Sequence, residues 1–287
     1  MLMPEAQKTI ANGVREIDWP VHRNNITDFL ANAKRKAQIS GTWEIDITLA
    51  QARIKEIQRR TRIAISFNAY LIFLIGRAVH QHPEVQAVRL PWRRKLAFFD
   101  EVDVGTAVEQ RMPDGALIPL PYIVRNAESK SLAEICYEMR QACKRDLISS
   151  DPDMRRWAQL AYFPTWLRRL IWNWVDLNPV RRRRVRGTFW LTNVLTNGRT
   201  PGFGHFLAVM SSSLGIGSAY DRLVPSAQDP RGFVVRKHLC CTLGVDHVVI
   251  DGAPMVRFAR TFADLLEKAE GLDEQFVEDL VVQYQKP

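Results

Sequence analysis

The chain has 287 residues, 46% of them hydrophobic, and carries 40 Lys and Arg against 31 Asp and Glu, a formal net charge of +9. This suffices for a substantial core in one large domain or two small ones. The N-terminal MLMPEAQKTIANG lacks the basic and apolar regions of a signal peptide, and no apolar run is long enough to cross a bilayer, the longest being Ala69 to Ile75. Nine arginines and one acid, Asp176, lie between Arg155 and Arg186 and supply +8 of the +9. The rest of the chain is nearly neutral, which argues against a whole-surface basic field for nucleic acid.

In chain order, Trp43–Ile47 alternates and reads as a strand, and Thr48 is expected to cap a helix to about Arg60 with Leu49, Ala52, Ile54 and Ile57 inward. Ser66 starts an apolar, buried helix to about His82, ended by Pro83. Strands follow near Val85–Leu90, Lys95–Phe99 and Val102–Glu109, and Pro113-Asp114-Gly115 turns into Ala116–Ile118. Ser131 and Glu134 have capping-box spacing, placing a helix from there to about Lys144. Thr188–Val194, Phe206–Met210 and Phe233–Leu243 read as strands, and a last helix covers about Ala253 to Glu270. No long linker or repeat divides the chain, so residues 1–287 are taken as a single layered domain, mixed α+β or α/β, with an insertion at about 147–187.

The chemistry centres on Gly244-Val245-Asp246-His247-Val248-Val249-Ile250-Asp251-Gly252. His247 falls in the tight connection between a strand and a helix start, where an imidazole can be held in one orientation and one tautomer. Asp251 falls at the N-cap, where a carboxylate accepts orphan backbone N–H groups. Taken alone, such residues are more often a hydrogen-bonded core histidine and an ordinary cap. Cys136, Cys143, Cys240 and Cys241 show neither metal-ligand spacing nor a disulfide framework, so no metal is expected and a reducing cytoplasm fits best. Cys136 and Cys143 are expected to be core fillers.

Several collinear segments add to this. Phe99-Asp100-Glu101-Val102-Asp103-Val104-Gly105-Thr106-Ala107-Val108, Pro113-Asp114-Gly115, Ile123-Val124-Arg125-Asn126-Ala127 and Lys130-Ser131-Leu132-Ala133-Glu134-Ile135 resemble the catalytic core of the dihydrolipoamide acyltransferases of 2-oxo acid dehydrogenase complexes. Ser66-Phe67-Asn68, His82-Pro83-Glu84-Val85 and the His247–Gly252 stretch resemble the same family. Val21-His22-Arg23 and Glu44-Ile45-Asp46-Ile47-Thr48 resemble chloramphenicol acetyltransferase, a relative of that fold. The resemblance implies a chloramphenicol acetyltransferase-like two-layer α/β sandwich, its mixed sheet packed against helices, assembled as a homotrimer with active sites at subunit interfaces. It also implies acyl transfer from a coenzyme A thioester, used as substrate, to a thiol or hydroxyl acceptor, with no permanently bound cofactor, no metal and no covalent enzyme intermediate.

By this resemblance His247 is the general base, a role suited to an imidazole because its ordinary titration range lies near neutrality. Thr192, in Phe189-Trp190-Leu191-Thr192-Asn193-Val194, supplies the hydroxyl that stabilises the oxyanion. Asp251 pairs with Arg23 and fixes the backbone around the histidine. Two positions depart from the pattern: Val248 stands where the dehydrogenase-complex cores usually have Arg, and Ser211-Ser212-Ser213 replaces an Asn-Pro-Pro stretch near the coenzyme pocket.

The sequence shows no lipoyl domain, subunit-binding domain or Pro/Ala-rich tether, so a stand-alone acyltransferase is expected. A core fed by lipoyl arms on another chain and a non-catalytic trimeric scaffold are the alternatives. The insertion mixes Trp157, Trp166, Trp172 and Trp174 with its arginines. That composition suits an acidic partner such as an acyl carrier, an anionic membrane surface, or a lid packed on the core with arginines solvated or stacked on Trp.

Overall fold

The computed structural model describes residues 8–9, 15–16, 18–111, 117–197, 199–226, 229 and 231–285. The expected turn at Pro113-Asp114-Gly115 lies outside them. Two short strands, β1 (Lys8–Thr9) and β2 (Arg15–Glu16), pair with each other ahead of α1 (Arg23–Ala33). Next come β3 (Gln38–Asp46), α2 (Thr48–Thr61), α3 (Phe67–Gln81), the small ribbon β4 (Val88–Leu90) and β5 (Lys95–Ala97), β6 (Val104–Arg111), β7 (Leu117–Val124) and α4 (Leu132–Lys144). Four helices follow, α5 (Leu147–Ser150), α6 (Pro152–Leu160), α7 (Thr165–Asp176) and α8 (Pro179–Arg186), then β8 (Phe189–Asn197), β9 (Ser212–Pro225), β10 (Phe233–Asp246), α9 (Gly252–Glu267) and α10 (Glu274–Gln285).

The main sheet has six strands in the order β3-β10-β9-β8-β6-β7. It is mixed: β8 runs parallel to both β6 and β9, and the other neighbours are antiparallel. Helices α2, α3, α4, α9 and α10 join its core, giving the helix-against-sheet arrangement expected. α3 is apolar nearly all round because it is enclosed: every residue from Ala69 to Gly76 is buried. Ser66 caps it, its hydroxyl accepting from the Ala69 N–H at 3.4 Å. Gly76 lets it approach the chain, since a Cβ there would lie 2.6 Å from the Ala127 carbonyl oxygen. The capping box on α4 is complete, with Glu134 N–H to Ser131 Oγ at 3.2 Å and Ser131 N–H to Glu134 Oε2 at 2.8 Å.

Some expectations are corrected. Leu49 and Ala52 face outward, and Ala50 takes the inward position on α2. The α2 N-cap is Ile47; the Thr48 N–H is met instead by Asp46 Oδ1 at 2.8 Å. Val85–Leu90 begins as a 3-10 turn (Pro83–Gln86) because Pro83 presets that conformation. Phe206–Met210 is not a strand, and the strand in that region is β9. Cys136 is buried but Cys143 is exposed.

Helices α6 and α7 form a satellite core of Leu160, Trp172 and Val175 with Phe29 of α1 packed against it. A buried ion pair joins the two parts, Arg168 Nε to Asp28 Oδ2 at 2.6 Å. Arg186 lies over the rings of Trp172 at 4.7 Å and Phe29 at 5.3 Å, and burial pushes its guanidinium down to about 10. Gly187 ends α8 at φ +76°, a left-handed conformation that suits glycine.

The nine arginines are therefore not a uniform basic surface. Arg168 and Arg186 are buried, Arg183 bridges to Asp103 and Glu101, and Arg156 and Arg184 reach Asp153. Among the described residues, Arg155, Arg169, Arg181 and Arg182 form no ion pair with a carboxylate.

Candidate active site

β10 hydrogen-bonds to β9 on one side and β3 on the other, and Leu239 to Val245 are all buried. A strand paired on both edges is a stiff support for whatever leaves its end. Asp246 closes it, its N–H donating to the Ser211 carbonyl at 2.8 Å. The chain then turns tightly: Val249 and Ile250 donate to the Asp246 carbonyl at 2.9 and 3.0 Å, and Val248 N–H donates to Asp246 Oδ1 at 3.2 Å.

His247 sits in this turn with its backbone N–H on the Ala37 carbonyl at 2.7 Å and its Nδ1 3.1 Å from the Ile250 carbonyl oxygen. A carbonyl only accepts, so Nδ1 carries the hydrogen and the Nε2 lone pair is free for proton abstraction. The side chain is 46% exposed, so that lone pair is reachable.

Lys36, one residue before the Ala37 acceptor, buttresses the turn. Its ammonium donates to the carbonyls of Ala208, Val209 and Met210, tying the segment before β9 to the link between α1 and β3. Burial, with Arg182 close by, holds Lys36 well below the ordinary lysine range. No sequence signal singled out Lys36, which lies in an ordinary charge run, and the Ile250 and Ala37 acceptors are main-chain groups invisible to side-chain patterns.

Asp251 occupies the N-cap position of α9, but its carboxylate accepts no capping hydrogen bond. It is 88% exposed, with Oδ1 3.9 Å from His247 Nδ1. The expected Arg23–Asp251 ion pair is not formed within the chain: Arg23 opens α1, is exposed, and makes no ion pair among the described residues. The short match at Val21-His22-Arg23 places the arginine in sequence but says nothing of where α1 is held in space.

Thr192 is half-buried in β8, in register with Gly215 of β9, which is in register with Thr242 of β10. His247 lies beyond Thr242 by five residues, on the order of 15 Å along the strand, and β8 is about 10 Å away across two strand spacings. One copy of the chain therefore does not bring Thr192 to His247. The Ser211–Ser213 run is interior: Ser212 Oγ donates to the Val85 carbonyl at 2.5 Å, and Ser213 is fully buried at the sheet.

Residues 12–147 and 184–273 match the family model of the 2-oxoacid dehydrogenases acyltransferase (catalytic domain). The intervening residues, 148–183, hold most of α5 to α8.

The dihydrolipoyllysine-residue acetyltransferase components of the mitochondrial pyruvate dehydrogenase complexes of Schizosaccharomyces pombe and Saccharomyces cerevisiae are each 26% identical, over 72% and 71% of this chain. The chain spans only about a third of those relatives, 35% and 36% of their lengths. Among solved structures, a probable dihydrolipoamide acetyltransferase from Listeria monocytogenes shares the fold with a TM-score of 0.65 at 16% identity, covering 90% of this chain and 97% of that one. The Azotobacter vinelandii dihydrolipoamide acetyltransferase does so with 0.65 at 19% identity, covering 94% and 99%. With most of its length matched to that family model, the chain belongs to the 2-oxo acid dehydrogenase acyltransferase family, whose catalytic domain it carries.

Proposed function

We propose that the protein is a stand-alone acyltransferase that moves an acyl group between a coenzyme A or carrier-bound thioester and a thiol or hydroxyl acceptor. It acts as a homotrimer in the reducing cytoplasm. The observation that carries the reading is the Nδ1–Ile250 carbonyl hydrogen bond, which leaves Nε2 of a half-exposed His247 as an oriented base.

In the forward direction Nε2 takes the proton from the acceptor S–H or O–H as that atom attacks the thioester carbonyl. The Thr192 hydroxyl of a neighbouring copy donates to the tetrahedral oxyanion. Collapse breaks the carbon–sulfur bond, and the departing coenzyme A thiolate recovers the proton from the imidazolium. Asp251 and Arg23 are assigned to the same interface, as an ion pair between copies. No resident cofactor or metal enters any step. Family membership supports the chemistry, and the separation of Thr192 from His247 within one copy supports an active site shared between copies.

The names of the curated relatives favour a second reading, in which the acceptor is a dihydrolipoyl group on a lysine of another polypeptide. Incubating the pure protein with a panel of acyl-CoAs and either free dihydrolipoamide or a dihydrolipoyl domain tests both. Thiol release with the free acceptor, abolished by His247→Ala, is the expected result. Release only with the lipoyl domain selects the second reading, and release with neither overturns both.

A further inference from the structure

Helix α7 has three faces. At about 100° per residue, Arg168, Trp172 and Val175 fall on the side buried against α1 and α6, and Arg169 and Asn173 form an exposed polar edge. The remaining arc holds Trp166, Leu170, Trp174 and Leu177, which are 69, 60, 56 and 54% exposed. A single exposed Leu is ordinary, but four large apolar side chains on one arc make an apolar patch of the kind that marks interaction surfaces. Tyr162 and Val180, at the two ends of the helix, are also exposed. Arg169 lies on the polar edge beside the patch and Arg181 stacks over Trp174 at 3.7 Å; neither pairs with a carboxylate among the described residues.

We infer that this face of α7 is an interfacial element that lies on an anionic lipid surface, with Trp166, Leu170, Trp174 and Leu177 entering the headgroup–acyl boundary. Charge complementarity selects that occupant. Arg169 beside the patch and Arg181 over Trp174 have no carboxylate partner among the described residues, so the face carries uncompensated positive charge, and a second copy docked through the same patch sets those like charges against each other.

The patch also opens at Trp174 into a cleft of about 820 Å³ lined by Trp157, Ile171 and Val175 together with the charged Glu138, Asp151, Asp153 and Arg156. Tryptophan indoles and arginine side chains with long apolar stems are the residues that favour the membrane–water interface. No described helix is long and apolar enough to cross a membrane, so the contact lies in the plane of the surface.

Co-sedimentation of the full chain with phosphatidylcholine vesicles, and with vesicles containing phosphatidylglycerol, tests this. Binding is expected to the anionic vesicles only, weakened by salt. Leu170→Glu should abolish it, while Arg169→Gln or Arg181→Gln should each weaken it about fivefold. All three side chains are exposed or half-exposed, and unfolding curves for each variant verify the fold. The inference is overturned if the native chain stays in the supernatant with both vesicles, or if Leu170→Glu binds as the native chain does. It is equally overturned if Leu170→Glu changes only the oligomeric mass in solution, or if the face binds an acidic acyl carrier protein and not vesicles. Since no acyl transfer is read, failure here leaves the enzymatic proposal standing.

Discussion

His247 Nδ1 lies 3.1 Å from the carbonyl oxygen of Ile250, three residues further along the same turn. The partner is a main-chain group that only accepts hydrogen bonds, so the ring tautomer is set by the path of the backbone. Asp251 Oδ1, 3.9 Å from the same nitrogen and largely exposed, is too far to take over that role.

Replacing His247 by Ala is expected to lower kcat for acyl transfer by about 10²–10⁴-fold, read as thiol release from an acyl-CoA. The substitution is at a half-exposed position, so the thermal unfolding midpoint should barely move.

Thr192→Val is expected to lower kcat by on the order of 10²–10³-fold, with Thr192→Ser retaining most activity. Because Thr192 and His247 stand apart within one copy, co-refolding Thr192→Val with His247→Ala chains should restore partial activity through mixed interfaces. Mixed oligomers as inactive as either parent would show that the two residues do not share a site.

Under conditions that dissociate the copies, so that no partner supplies Arg23, Asp251→Ala should change stability by no more than about 0.5 kcal/mol, the range of an ordinary surface substitution, because its carboxylate makes no capping bond. A loss of about 1 kcal/mol or more in denaturant titration would show that it caps α9 after all.

The Arg168–Asp28 pair, with both side chains at most 5% exposed, links α7 to α1. Asp28→Asn leaves a buried guanidinium without its counter-charge and is expected to cost about 3–5 kcal/mol. The paired change Asp28→Leu with Arg168→Met should cost much less. Urea denaturation of the three variants checks the ordering.

Asp103 is buried, which by itself raises a carboxyl, but hydrogen bonds from Arg183, Arg125 and the Asn126 N–H outweigh this and hold it below the ordinary carboxylate range. Its folded form therefore favours the charged state, and the stability it contributes is present above about pH 3.9. That contribution is lost as pH falls through the depressed folded value. Unfolding free energy measured from pH 6 downward should fall less steeply in Asp103→Asn than in the native chain.

The elements legible in the sequence are those whose signal is local. Ser131 and Glu134 close a capping box whatever lies around them, and α3 is so apolar that it has nowhere to sit but the interior. The strand leading into His247 was legible for the same reason, its apolar run being set by pairing on both edges. Helix α10 lies beyond the last helix expected from the sequence, although Phe276, Leu280 and Tyr284 recur at four-residue spacing, a pattern that marks an apolar helical face.

Phe206–Met210 misled because its composition suits a strand while its backbone groups are met by side chains instead: Lys36 takes three carbonyls and Gln38 Oε1 accepts the Ala208 N–H at 2.6 Å. β9, rich in Ser and Gly, has little strand character of its own and takes its conformation from β8 and β10 on either side.

Residue order alone determined the family and the strand–turn–helix that carries His247, because collinear segments and short-range periodicity are properties of the chain itself. Three things were decided only in three dimensions: the tautomer of His247, the absence of an Arg23–Asp251 pair within one copy, and the disposal of most insertion arginines in internal ion pairs and ring contacts. Each depends on a main-chain carbonyl, a helix position or a distant carboxylate brought near by packing, and such contacts between residues far apart in sequence leave no mark in local composition.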